Sequence, residues 1–214
     1  LREQGYRTVK LRFGDSVERD LARLEAIRAA FGRDLGVMVD ANTGYTVEDV
    51  RRVMPALEAN EVLWLEEPFP SHDHRSYREA RSFGALPLAA GENHYTRFEF
   101  NRLIEDGAIR ILQPDLSKTG GITEGLRIAA MASAWKLPIH PHTLASGLNM
   151  AANIHLLCAI DNGGFFEATW RRRTCSATTS RTGPICSTPT AACIRRKPRA
   201  WASRSTRTSC VHTR

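Results

Sequence analysis

From Thr8 to Glu167, short β-rich apolar runs alternate with amphipathic stretches, and each apolar run ends on a side chain able to do chemistry. Strands are expected near Thr8–Phe13, Gly36–Asp40, Val62–Leu65, Pro87–Ala90, Arg110–Leu112, Pro138–His140 and Gly164–Glu167. Helices are expected between them, over Ser16–Phe31, Thr46–Ala59, Asp73–Phe83, Thr96–Asp106, Ile122–Trp135 and about Ala145–Ile160. Ser16 and Thr46 each stand ahead of early acidic residues, an arrangement that caps a helix start and suits its dipole. Strands joined by helices argue for an α/β protein with a parallel sheet, either doubly wound and open or closed as a barrel.

The strand-end residues separate these two folds. Lys10 and Arg12, Asp40, Glu66, Glu92, Asp115, His142 and Glu167 follow one another at steps of 28 (12→40), 26, 26, 23, 27 and 25 residues, one βα unit each time. In a barrel the C-terminal ends of successive strands converge on one site, whereas an open sheet spreads them along a line. The expected fold is therefore a partial (β/α)8-type (TIM-like) barrel over residues 1–170 with seven strands visible. Roughly one βα unit is expected to be missing at the front, because complete barrels run to about 250 residues.

Net charge has to be divided before it is used. Residues 1–167 carry 19 Lys+Arg and 23 Asp+Glu, a net of −4; residues 168–214 carry 11 Lys+Arg and no acid, and the two halves sum to the +7 of the whole chain. The barrel region is thus mildly acidic and offers no electrostatic footprint for nucleic acid. No apolar run is long enough to cross a bilayer, and no Cys-x-x-Cys pair suggests zinc. Nothing in the cysteine pattern calls for an oxidising compartment, so the cytoplasm is expected.

Asp40, Glu66 and Glu92 end three consecutive strands. Three ionised carboxylates at one barrel mouth repel one another unless a cation lies between them. All-oxygen ligation suits a hard ion such as Mg²⁺; pairing of each acid with a nearby Arg or Lys is the competing reading. Glu67 should point the other way along the strand, as a supporting acid. On the far side of the mouth, Asp115 and His142 end adjacent strands, close enough for a carboxylate to orient an imidazole and raise its pKa. His140 is expected to point elsewhere.

The runs Thr8–Gly14, Met38-Val39-Asp40-Ala41-Asn42, Trp64-Leu65-Glu66-Glu67-Pro68, Ala90-Gly91-Glu92-Asn93, Gln113-Pro114-Asp115 through Gly121, and Pro138-Ile139-His140-Pro141-His142 resemble the enolase superfamily, mandelate racemase subgroup. The resemblance covers about residues 1–170 and implies a barrel domain whose N-terminal capping domain is absent here. It implies Asp40, Glu66 and Glu92 as Mg²⁺ ligands, the His142–Asp115 dyad as general base, and Glu167 as a hydrogen-bonding partner of a substrate carboxylate oxygen. It further implies a small-molecule carboxylate substrate and homo-oligomeric full-length members. Lys118 is the base in another branch of the family and is read here as an accessory, substrate-side cation. Asn42 and His94 follow metal-ligand candidates and stand as hydroxyl binders or packing residues.

One departure from the family pattern bears on the reaction. A second Lys often stands where this chain has Arg12, and arginine does not release its proton at neutral pH. A single base, His142, suits abstraction of the proton α to a carboxylate followed by loss of water, with Lys10 and Arg12 gripping the substrate. The expected activity is an acid-sugar (aldonate or aldarate) dehydratase, with a 2-hydroxyacid racemase or epimerase as the alternative within the family.

After Trp170 the pattern stops. Residues 171–214 are rich in Ser, Thr, Arg, Pro and Cys, with no periodicity. The family normally continues here with an acidic segment containing Pro and Gly. GC-rich codons for Cys175–Ser180, read one base out of register, give a Phe-Arg-Asp-Asp-Leu string of that kind. The tail is therefore read as frameshifted and disordered, against the alternatives of a basic arm for RNA or DNA and a linker; for the whole chain, an inactive truncated product is a further alternative. The nucleotide sequence decides between them.

Overall fold

A computed structural model describes residues 6–143, 146–169 and 191–195. The order is β1 (Thr8–Arg12), α1 (Val17–Phe31), β2 (Gly36–Asp40), α2 (Val47–Ala59), β3 (Val62–Glu66), α3 (His74–Ala80), β4 (Leu88–Ala90), α4 (Thr96–Asp106), β5 (Ile111–Leu112), α5 (Leu116–Thr119), α6 (Gly121–Ala134), α7 (Gly147–Ala159), β6 (Phe165–Thr169) and β7 (Ala191–Arg195). Strands β1 to β5 pair in parallel in chain order, with Arg12 opposite Asp40 and Asp40 opposite Glu66. This register brings the predicted strand-end groups side by side.

The helix starts follow from their caps. Ser16 Oγ accepts from the Arg19 N–H, and Thr46 and Asp49 form a reciprocal capping box on α2. Helix α3 stops at Ala80, short of the expected Phe83. Its carboxyl end tightens into i→i+3 hydrogen bonds from the Ser82 and Phe83 N–H groups, a common way to close a last turn.

The sheet closes on itself, and its closure departs from the sequence expectation at two places. Pro138–His140 is not an extended strand; Ile139 alone bridges Leu112 on one side and Gly163 on the other, both in parallel. Pro138 and Pro141 flank it, and proline has no N–H for a longer ladder. The second place is the tail. Five of its residues, Ala191–Arg195, form a strand that runs antiparallel between β1 and β6, so they fill the gap that an open barrel would leave as two exposed edges. The rest of the tail expectation lies outside the described residues.

Side-chain alternation along the strands divides the apolar residues into two cores. Val9, Leu11, Val37, Val39, Leu65, Leu88 and Leu112 face outward and pack under helix residues such as Leu24, Val53, Leu57, Phe100, Leu103 and Ile128. Met38, Trp64, Ala89 and Ile111, joined by Phe165, fill the barrel interior as an apolar plug. The polar strand-end groups lie one layer above this plug.

The loops at the mouth are tied together by a buried acid that sequence analysis did not single out. Asp20, on α1, accepts from the Gly14 and Asp15 N–H groups (2.8 and 3.2 Å), from Tyr45 Oη (2.7 Å) and from Arg23 Nη1 (2.7 Å). It thereby fixes the loop after β1 to the loop after β2. Hydrogen bonds to a charged group contribute about 1.5–3 kcal/mol each, so Tyr45→Phe should lower stability within that range. Leu65→Ala, at a fully buried outer-core position, should cost about 2–5 kcal/mol. Chemical denaturation of each variant measures both.

Candidate active site

Strand β1 delivers Lys10 to the barrel axis. Its Nζ lies 2.7 Å from Glu66 Oε1, 2.6 Å from Glu167 Oε1 and 3.9 Å from Asp40 Oδ2. Burial alone would lower the pKa of this amine, but Glu167, Glu66 and Asp40 together raise it well above its ordinary value. Arg12, one pleat further along, is half-exposed and pairs with Asp40 through Nη1 at 2.9 Å. Asp40 Oδ1 accepts from the Asn42 N–H (2.9 Å), with Asn42 in a left-handed backbone conformation at φ 42°. The Asp40 carboxyl is pushed up to about 6, first by burial and then by the neighbouring Glu66, against the pull of Lys10 and Arg12.

Glu66 is the most enclosed of the three carboxylates. Besides Lys10, it accepts from Trp64 Nε1 (3.2 Å) and Gln113 Nε2 (2.6 Å). Gln113 reaches it because Gly91 lets two strand ends approach closely. A Cβ on Gly91 would lie 2.7–2.9 Å from the Gln113 backbone, and φ at that glycine is +149°. Glu67 turns to Asn93, whose Nδ2 donates to it at 2.8 Å. Burial, reinforced by Glu92, pushes Glu67 up to about 8, which keeps it a neutral acid.

On the other side, His142 stands between two carboxylates. Its Nδ1 lies 2.9 Å from Asp115 Oδ2 and its Nε2 lies 2.9 Å from Glu92 Oε2. Burial disfavours the imidazolium, but the two carboxylates outweigh it and raise the His142 pKa to about 10. Burial likewise opposes ionisation of Glu92 and Asp115, and the hydrogen bonds to His142 hold both near about 2. Glu167 accepts from the Thr143 N–H at 3.0 Å, so the His142 segment and the Lys10 cluster meet through it.

The structure therefore draws Lys10, Arg12, Asp40, Glu66, Glu92, Asp115, His142 and Glu167 into one buried network, with Asn42 bound to its edge through its backbone. Lys118 joins at one remove, donating from Nζ to Asn93 Oδ1 at 3.0 Å. His94 makes no hydrogen bond to this network; it packs against Phe100 with ring centroids 5.8 Å apart, and burial lowers its pKa to about 4. His140 also differs from expectation. It stacks on Phe165 and lies tilted against Trp64, with centroids at 5.3 and 5.0 Å, and lines a small cavity with Lys10, Glu66, Gln113 and Glu167. Residues 140 and 142 are two apart and share a face of an extended chain, so alternation argued for the interior all along. Gly164 makes room for the ring, since a Cβ there would lie 2.1 Å from His140 Cε1.

Among the described residues, no three His, Cys, Asp or Glu groups are arranged to hold a metal ion. Lys10 reaches between Asp40 and Glu66, and the His142 imidazole holds Glu92, so side-chain cations answer the carboxylates that were expected to share Mg²⁺. The donor chemistry still fits a hard cation. The ligand atoms are all carboxylate oxygens on neighbouring strand ends, and Glu66 crowds Asp40 enough to help raise its pKa.

The residues that sequence reasoning missed are the amides: Gln113, Asn93, Asn149 and Asn153. The last two sit four apart on an otherwise apolar helix, a legible spacing for one buried face.

With this geometry in hand, the comparisons decide the lineage. A family model described as Enolase C-terminal domain-like matches residues 1–185. The chain belongs to that family. It is 39% identical over 141 residues to a D-galactonate dehydratase of Ralstonia nicotianae, a stretch covering 66% of this chain and 37% of the relative. A crystal structure of an enolase-superfamily member from a Polaromonas species matches at 52% identity and a TM-score of 0.77, covering 78% of this chain and 45% of the other. A racemase from Streptomyces coelicolor, solved with bound magnesium, matches at 27% identity and a TM-score of 0.70, covering 76% and 44%. The chain spans under half the length of each of these proteins.

Lys10 is nine-tenths buried and answers three acids. Removing one partner of a buried charge network costs about 3–5 kcal/mol. Lys10→Met should therefore lower the unfolding free energy by that order, measured by urea denaturation at neutral pH, whereas Arg12→Met, at a half-exposed position, should cost far less.

Proposed function

We propose that the chain carries the catalytic apparatus of an acid-sugar dehydratase, which removes the proton next to a carboxylate and expels the neighbouring hydroxyl as water. The observation that carries this reading is the placement of His142. The ring is gripped by Asp115 at Nδ1 and presents Nε2 to the same mouth that holds Lys10, Arg12 and Glu167. Membership in the family and the likeness to a D-galactonate dehydratase support the substrate class.

Lys10 and Arg12 are the cations available to a substrate carboxylate, and Glu167, anchored by the Thr143 N–H and Lys10, is the group beside it. In the observed arrangement His142 is an imidazolium whose Nε2 faces Glu92; to act as base the ring has to part from Glu92 and give its Nε2 proton to solvent, after which that nitrogen accepts the substrate proton. The imidazolium then holds the proton that a departing 3-hydroxyl needs, so one residue serves both steps. Arg12 stays protonated, so the position where the family often carries a second lysine base cannot accept a proton, which favours elimination over the two-base exchange of a racemase. The cofactor in this reading is Mg²⁺, with Asp40, Glu66 and Glu92 as its ligands. Bound there, it supplies positive charge that stabilises the charge developing on the substrate carboxylate. The likeness to a racemase solved with magnesium supports the choice of metal.

The test is incubation of the chain with a panel of aldonic and aldaric acids and Mg²⁺, scored for the 2-keto-3-deoxy product. His142→Gln should lower turnover by about 10²–10⁴-fold, the usual contribution of a positioned acid–base group. A chelator should abolish turnover and added Mg²⁺ should restore it. Deuterium entering the substrate from heavy water with no keto acid formed would instead identify a racemase or epimerase.

A further inference from the structure

The Asp115–His142 pair is held from behind by helix α7, through two asparagines to which nothing above assigns a role. The face that α7 turns inward consists of Asn149, Asn153, Leu156 and Leu157, an i, i+4, i+7, i+8 stripe. Its lower half is apolar and packs as core. Its upper half, at the barrel mouth, is a pair of amides that are 4% and 0% exposed. A buried amide costs free energy unless its hydrogen bonds are made, so leucines here would be the cheaper choice if the helix only had to pack.

The N–H groups of these amides turn to the dyad and to Thr143 beside it. Asn149 Nδ2 donates to Asp115 Oδ1 at 2.9 Å. The same oxygen accepts from the Ser117 N–H (2.8 Å) and Ser117 Oγ (2.6 Å). Three donors on Oδ1 fix the carboxylate plane and leave Oδ2 to His142 Nδ1. Asn153 Nδ2 donates to the His142 carbonyl (2.8 Å) and to Thr143 Oγ1 (2.7 Å), and lies 3.2 Å from Asn149 Oδ1. One amide thus orients the acid, the other holds the backbone that carries the imidazole, and the two amides meet. Ser146 Oγ caps the helix by accepting from the Asn149 N–H at 3.2 Å, which fixes Asn149 relative to the mouth.

We propose that Asn149 and Asn153 are positioning residues for the Asp115–His142 dyad, setting which carboxylate oxygen meets Nδ1 and therefore that Nε2 is the nitrogen turned toward the reacting carbon. The proposal rests on the reading of His142 as the proton-transfer group, but the hydrogen-bonded Nδ1–H can be observed without turnover.

The experiment records long-range proton–nitrogen correlations of the histidine rings in the ¹⁵N-labelled full chain, with the His142 signals assigned by their loss in His142→Gln. The expected wild-type signature is a protonated, slowly exchanging Nδ1. Asn149→Leu and Asn153→Leu should each broaden or lose that Nδ1 proton signal and, on any acid that the chain dehydrates, lower kcat at least tenfold with KM nearly unchanged. Leu156→Ala, on the same helix face, should lower thermal stability and leave the signature intact. Asn149→Ser, smaller and still polar, reads the same signal if the leucine variants do not fold. An Nδ1 signal unchanged in the asparagine variants, or lost equally in Leu156→Ala, overturns the proposal. A signature that responds as expected in a chain that dehydrates no acid upholds the positioning role and instead counts against the dehydratase reading.

Discussion

The structure turns on the neutralisation of a crowd of carboxylates at one end of a barrel. Asp40, Glu66, Glu92, Asp115 and Glu167 are each less than a tenth exposed, and burying several like charges together is prohibitive unless cations answer them. Two side chains supply most of that answer. Lys10 reaches three of the acids from β1, and His142 joins the remaining two by opposite edges of its ring. The acids are thereby sorted into two groups around two cations, and Thr143 links the groups by donating to Glu167.

The barrel makes such a cluster tolerable by layering its interior. Below the charged layer, Met38, Trp64, Ala89, Ile111 and Phe165 close the axis, and His140 packs against the Trp64 and Phe165 rings with its Nδ1 accepting from the Phe165 N–H at 2.8 Å. Amides at the boundary (Gln113 on Glu66, Asn93 on Glu67, Asn149 on Asp115) donate hydrogen bonds without adding charge. They orient carboxylates that would otherwise rotate, and a fixed orientation is what makes a proton-transfer group effective.

Much of this was legible in the chain. The step of one βα unit between Arg12, Asp40, Glu66, Glu92, Asp115, His142 and Glu167 reports which residues share a barrel end, because each strand in a parallel sheet returns to the same side. Caps at Ser16 and Thr46 were readable for a local reason: the hydrogen bonds they make stay within three residues. Less legible were partners that depend on distance in space. Nothing near Asp20 in sequence announces Tyr45, and nothing near His94 announces that Phe100 takes its ring while Glu92, two residues earlier, points into the mouth. His140 was misjudged because alternation was applied as though it lay on the opposite face from His142, although positions two apart share a face. The strand at Ala191–Arg195 was not anticipated, since a stretch without alternation gains its order only from the free edges of β1 and β6.

The sequence by itself determined the repeating βα order, the strand ends that carry the chemistry, and the assignment of Asp115 to His142, since all of these follow from periodicity and from which groups can exchange protons. Only the tertiary structure decided how the charges are shared. Whether Asp40, Glu66 and Glu92 meet at a point or are divided between Lys10 and His142 depends on separations of a few ångströms across the barrel. Coulombic and hydrogen-bond energies vary steeply over such distances in a buried site, and spacing along a chain does not record them.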